Sequence, residues 1–199
     1  MQDVIRRAFA ASISAKEKFA VEHGETLERV ARLIAEAISQ GHKVVLFGNG
    51  GSAADAQHIA AEFVNRFVVE RRPLPALALT TDSSALTSIA NDYGYDHIFS
   101  KQIEALGSAG DVAIAISTSG DSPNVLRAID ACGKVGLFVI GLTGGDGGKM
   151  REHVDYLLNV SATRETARVQ ETHITIAHVL CDLVDRQLFP AAYEKGGGA

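Results

Sequence analysis

The chain has 199 residues, of which 46% are hydrophobic and 22% charged, the proportions of an ordinary globular domain. Its 19 lysines and arginines against 24 aspartates and glutamates leave a net charge of −5, which argues against a generic nucleic-acid binder or a polybasic membrane-surface protein. The two cysteines, Cys132 and Cys181, lie far apart in no ligand pattern, so a disulfide-stapled secreted fold is excluded.

Taken in chain order, residues 3–22 carry a helical stripe of Ile5, Phe9, Ile13, Phe19 and Ala20. A stronger stripe follows at Leu27, Val30, Ala31, Ile34, Ala37 and Ile38, with Gly41 as a stop signal. Two helices are therefore expected before the first strand, as an N-terminal extension over residues 1–40. The N-terminus shows no apolar h-region or small-residue cleavage site, and no apolar run approaches the roughly 18 residues of a membrane span. A cytoplasmic protein with neither membrane nor nucleic-acid partner is expected.

After Gly41 the pattern changes to short apolar runs separated by helical stretches. Residues 43–47, 74–79, 112–116, 137–142 and 156–160 read as buried strands, and residues 52–67, 84–91, 122–132 and 165–188 as helices. Near-continuous apolar strands alternating with helices imply a parallel sheet covered on both faces. We read one α/β domain over residues 41–190, with a tail over 191–199 that is frayed from Gly196 onward.

Two loops stand where such a sheet binds ligands, beyond the carboxyl ends of its strands. The first strand runs into Gly48-Asn49-Gly50-Gly51-Ser52 and directly into a helix, whose free N–H groups and positive dipole suit an anion. The third ends in Ser117-Thr118-Ser119-Gly120-Asp121-Ser122-Pro123, a donor-rich cup at another helix start, with Pro123 suited to the first helical position. Serines and threonines also cap and turn without binding anything, but two such loops together point to a phosphate ester. The first loop also fits the looser GxGxxA dinucleotide pattern through Gly48, Gly50 and Ala53, yet Glu70 and Asp82 fall in the wrong places for its acidic partner. No GxxxxGK[ST] is present, and Gly144-Gly145-Asp146-Gly147-Gly148 reads as a turn rather than a third cradle.

Two helices carry ionisable groups. His58 and Glu62 are four residues apart and share a face, with Arg66 one turn on; Gln170 and His178 share a face of the last long helix, with Glu171 and His173 to either side. Brought together they would suit a divalent ion or a metal-free acid–base pair, although a histidine on an apolar helix is commonly a hydrogen-bonded core residue and a Glu–Arg pair a solvated face. A phosphate anchor with a carboxylate and an imidazole near it is what proton transfer beside a sugar carbonyl requires.

GNGGSAADAQH followed by Glu62, ANDYGY at 90–95, STSGDSPN at 117–124 and RVQETH at 168–173 with His178 resemble the phosphoheptose isomerases of the sugar isomerase (SIS) superfamily. The resemblance runs from about residue 40 to 190. It implies a three-layer αβα fold with a five-stranded parallel flavodoxin-like sheet, assembled as a homotetramer with active sites at subunit interfaces. It implies conversion of sedoheptulose 7-phosphate to D-glycero-D-manno-heptose 7-phosphate through an enediol(ate), the first step of bacterial ADP/GDP-heptose biosynthesis. By motif, Asn49, Gly50, Gly51, Ser52, Ser117, Thr118, Ser119 and Ser122 would hold the phosphate end, and Asn91, Asp92, Glu62 and Gln170 the rest of the sugar. Glu62 and His178 would be the acid–base pair, and His58, Glu62, Gln170 and His178 the ligands of one zinc ion per subunit. Where some relatives place an aspartate shortly before RxQE, this chain has Glu165 and Ala167.

The chief rival is a non-catalytic relative, a phosphosugar-binding regulator of the replication initiator protein, which this chain resembles in AQH, IAND and CDLVDRQLFP. That regulator lacks the acid–base pair, whereas Glu62 and His178 are both present here. A second rival is a related isomerase acting on a hexose or pentose phosphate, and a third is an NAD-binding module.

Overall fold

The N-terminal extension is one helix rather than two: in the computed structural model, which describes residues 1–195, α1 runs unbroken over Gln2–Ser39. The frayed end expected at 196–199 lies outside the described residues. Two separate apolar stripes suggest two helices, and Gly24 lies between them, but a glycine inside a helix costs only about 1 kcal/mol relative to alanine. Burying one large apolar side chain contributes about 1.5–3 kcal/mol, and Phe19, Leu27, Val30 and Ile34 on either side of Gly24 are all buried. Packing along the last long helix therefore carries α1 through the glycine. The helix stops at Gln40, and Gly41 turns the chain with φ +89°.

The strands are β1 (Val44–Gly48), β2 (Ala76–Ala78), β3 (Val112–Ile116), β4 (Phe138–Gly144) and β5 (Tyr156–Val160). Between and after them lie α2 (Gly51–Val64), α3 (Ser83–Tyr93), α4 (Ser100–Leu106), α5 (Pro123–Val135), α6 (Thr166–Leu188) and α7 (Pro190–Lys195). All five strands are parallel in the order β2-β1-β3-β4-β5, the flavodoxin-like arrangement expected. The short α4 and α7 carry too few residues to show a helical stripe.

Alternation within each strand decides the layer its side chains enter. Val44, Leu46, Val112, Ile114, Ile116, Ile140 and Leu142 join the core under α1, α2 and α6. Val45, Phe47, Ala113, Ala115 and Val139 join the opposite core with Ile103 of α4 and Val125, Ala128 and Ile129 of α5. The strands thus read as continuous apolar runs because both faces are covered. Cys132 and Cys181 are free and buried, and burial pushes each thiol up to about 12, so neither is a ready nucleophile.

His173 fastens α6 to the sheet. It is 1% exposed, and its Nε2 lies 3.0 Å from the carbonyl oxygen of Thr143; since that oxygen only accepts, Nε2 carries the proton. Burial pulls the imidazole down to about 4, so it is neutral in the folded chain near pH 7. The unfolded chain takes up this proton near pH 6.5 and the folded chain only near pH 4, so stability falls as pH drops between those values. By linkage this histidine alone should cost about 2–3 kcal/mol between pH 6.5 and 4.5. Urea unfolding at the two pH values is expected to show that loss, and His173→Gln, which retains a donor, should lose markedly less.

Candidate active site at the carboxyl edge of the sheet

β1 and β3 pair directly, with Gly48 opposite Ile116, yet α2 leaves towards one layer and α5 towards the other. The crevice between the two departing loops is the topological switch point, where ligands of open α/β sheets bind. Gly50 caps α2 with φ +55°, and Ser52, 4% exposed, donates its N–H to the Asn49 carbonyl. In the second loop Ser117 and Ser122 pair through their hydroxyls at 3.0 Å, and Ser119 Oγ accepts from the Asp121 N–H.

Asn49 joins the two loops. Its carboxamide and that of Asn124, 2% exposed on the first turn of α5, exchange two hydrogen bonds of 2.8 Å each. The Tyr95 hydroxyl donates to the same Asn49 oxygen at 3.1 Å, bringing in the end of the ANDYGY segment. The glycine-rich turn after β4 braces the second loop from behind: Gly120 has φ +71°, and a Cβ there would lie 2.1 Å from the Gly147 carbonyl oxygen. The turn is therefore a support, as well as the connection its glycines suggested.

Further along α2 the ionisable groups meet. His58 Nε2 lies 2.9 Å from His178 Nε2 of α6 and 3.5 Å from Glu62 Oε1, and one donor atom from each residue falls within 4.8 Å of the others. Which ring donates to the other depends on the tautomer. Phe67 stacks on His178 at 5.4 Å and closes the group on that side. Two imidazole nitrogens and a carboxylate oxygen are a donor set that fits zinc or a similar ion, and the same set can move protons.

A model of the SIS domain matches residues 8–144. Over 197 residues the chain is 51% identical to a phosphoheptose isomerase of Thermodesulfovibrio yellowstonii, covering 98% of each. Among solved structures, phosphoheptose isomerase GmhA from Neisseria gonorrhoeae matches with a TM-score of 0.87 at 48% identity, covering 92% of this chain and 98% of that one. A phosphoheptose isomerase from Francisella tularensis matches with a TM-score of 0.89 at 39% identity over 93% and 98%. The chain belongs to the phosphoheptose isomerase family.

The phosphoheptose isomerase motifs come together only in part within one chain. Asn49, Gly50, Gly51, Ser52, Ser117, Thr118, Ser119 and Ser122 form the crevice, and His58, Glu62 and His178 form the group beside it. Gln170 lies at the crevice end: a Cβ on Gly51 would fall 2.4 Å from its Nε2, so the glycine makes room for that amide. Asn91 and Asp92 stay exposed on α3, with the Asn91 amide donating to Asp92 Oδ1 at 2.8 Å. Glu165 and Ala167 are exposed at the start of α6. Arg66 leaves the face expected for it: α2 ends at Val64 rather than near 67, and Arg66 pairs with Glu70 at 3.5 Å in solvent.

Sequence reasoning passed over Asn124, which no spacing rule flags, and Arg164. The latter lines a cavity of about 250 Å³ with Thr118, Ser119, Asp146 and Thr166, and its guanidinium donates to Asp146 at 2.8 Å. The Gly148 N–H and the Arg164 cation hold that carboxyl below the usual range. Asn124→Ala should free the Asn49 carboxamide and weaken sugar-phosphate binding by up to about thirtyfold, the net worth of two hydrogen bonds at about 1 kcal/mol each. Calorimetric titration of the variant with a sugar phosphate checks this.

Proposed function

We propose that this chain converts sedoheptulose 7-phosphate to D-glycero-D-manno-heptose 7-phosphate, the step that opens ADP/GDP-heptose biosynthesis. The observation that carries the reading is the meeting of Glu62, His58 and His178, from helices far apart in sequence, beside a two-loop anion crevice. A regulator that only binds a phosphosugar needs the crevice and has no use for that group.

The phosphate would sit on the free N–H groups at the start of α2 and the hydroxyls of Ser117, Ser119 and Ser122. The Glu62 carboxylate takes a proton from C1, the electron pair forms the C1–C2 double bond, and the C2 oxygen takes a proton from His178. The C1 hydroxyl then gives its proton back to His178 as the C1 carbonyl forms, and Glu62 returns its proton to C2. His58, Glu62, Gln170 and His178 would hold one zinc ion per subunit, and such an ion supplies Lewis-acid polarisation of the substrate oxygens.

The same reading makes the enzyme a cytoplasmic homotetramer with sites at its interfaces. Supporting it, Val4, Ile5, Phe9 and Ile13 of α1 are each more than half exposed, an apolar stripe that needs a partner surface. Beneath Phe9, Arg168 Nε and Glu171 Oε2 are buried without partners in the single chain. Asn91 and Asp92, exposed on α3, would then bind sugar hydroxyls. Light scattering on purified protein should give four times the 21.1 kDa chain mass.

Incubated with sedoheptulose 7-phosphate in D₂O, the protein is expected to form the aldoheptose phosphate, with deuterium at C2 wherever the proton on Glu62 exchanges with solvent before its return, followed by NMR. Glu62→Gln should lower kcat about a thousandfold and His178→Gln about a hundredfold or more, within the range of general acid–base contributions. Phosphosugar binding without turnover would move the assignment to another sugar phosphate or to the regulatory class.

A further inference from the structure

The segment between α2 and β2 carries a buried cation that neither the crevice nor the acid–base group accounts for. The Arg71 side chain is 1% exposed, and all three nitrogens of its guanidinium donate. Nε donates to Asp185 Oδ1 of α6 at 2.9 Å, Nη2 to the Glu62 carbonyl at 2.8 Å, and Nη1 to the carbonyls of Phe63, Asn65 and Arg72 at 2.8, 3.1 and 3.1 Å. The last carbonyls of a helix have no partner of their own, and α2 has no basic residue in its last turn. Arg71 supplies that cation from outside the helix, and in doing so grips the backbone of Glu62 itself.

The other end of the grip is equally placed. Asp185, 1% exposed, stands two turns beyond His178 on α6. One guanidinium therefore ties the end of the helix that bears Glu62 and His58 to the helix that bears His178. The neighbouring ion pair of Arg66 and Glu70, by contrast, is out in solvent.

We propose that Arg71 and Asp185 are positioning residues for the acid–base group, setting the distance between Glu62 on α2 and His178 on α6. This rests on Glu62 and His178 acting as proposed above. A lysine cannot replace the arginine: it keeps the charge beside Asp185 but lacks the planar fork that reaches the carboxylate and four carbonyls together. A purely structural ion pair would behave differently, since well-packed apolar replacements of both partners restore stability to such pairs.

Two variants separate these roles, Arg71→Lys and the double variant Arg71→Met with Asp185→Leu, each assayed well below its own melting temperature. Both are expected to lose about ten- to a hundredfold in kcat with KM within threefold of wild type, because small displacements of reacting groups cost this much while the phosphate crevice is untouched. If kcat in either folded variant stays within twofold of wild type, the proposal is overturned. Should the wild-type chain itself prove inactive, the proposed function fails separately. Crystal structures of wild type and Arg71→Lys then decide the positioning role: a Glu62 carboxylate that keeps its place against His178 overturns it.

Discussion

Everything at the site depends on one constraint of the sheet. β1 and β3 are hydrogen-bonded neighbours whose following helices must leave to opposite faces, because β2 lies to one side of β1 and β4 to the other side of β3. The backbone cannot fill the space between two loops that part in this way, and the N-terminal N–H groups of α2 and α5 both border it. An anion site follows from topology before any side chain is considered. The side chains then refine it: Asn49 and Asn124 bridge the gap, Tyr95 steadies the bridge, and the turn after β4 presses on Gly120 from behind.

Because the sheet is buried on both faces, its strands were legible as apolar runs, and β3 and β5 begin and end where the pattern says. The loops were legible too, since glycine and hydroxyl chemistry is local. What spacing alone could not supply is the meeting of His58 with His178, 120 positions apart. Spacing raised that meeting as one option, the family resemblance turned it into an expectation, and the geometry brings both to Glu62. Two misreadings share a physical origin. The change of stripe between residues 22 and 27 reads as a break because the local pattern is visible and the burial of Phe19 and Leu27 against α6 is not. Arg66 was carried along the helix face because the cap that ends α2 comes from Arg71, a residue no local pattern marks.

The histidines show how burial sorts identical side chains. His173 is enclosed, donates to a carbonyl and is pulled down to about 4, so it serves as a neutral fastener. His58, a little under half exposed, faces another imidazole and a carboxylate across a solvent-accessible edge. RVQETH therefore contains one histidine for structure, while the one proposed for chemistry lies five residues further on the same helix. A motif that counts histidines would weigh them equally, and burial separates them.

The length of α2 links the two halves of the site. At about 1.5 Å of rise per residue, the seven steps from Gly51 to His58 span about 10 Å and the eleven to Glu62 about 16 Å. An anion held at the start of the helix therefore places the far end of an extended sugar phosphate near the His58 turn, where Glu62 and His178 close in. Since Gln170 rests on Gly51 and His178 lies two turns along α6, the two helices run beside the crevice side by side rather than crossing at one point. Their relative slide then sets how far the proton-moving groups stand from the phosphate. A helix pair tied only at the crevice could slide at its far end, and the buried Arg71–Asp185 contact lies at that far end. On the function proposed above, phosphate recognition and proton transfer would thus be joined by one rigid length of helix, which would make the spacing of the motifs along α2 and α6 a property of the reaction as well as of the fold.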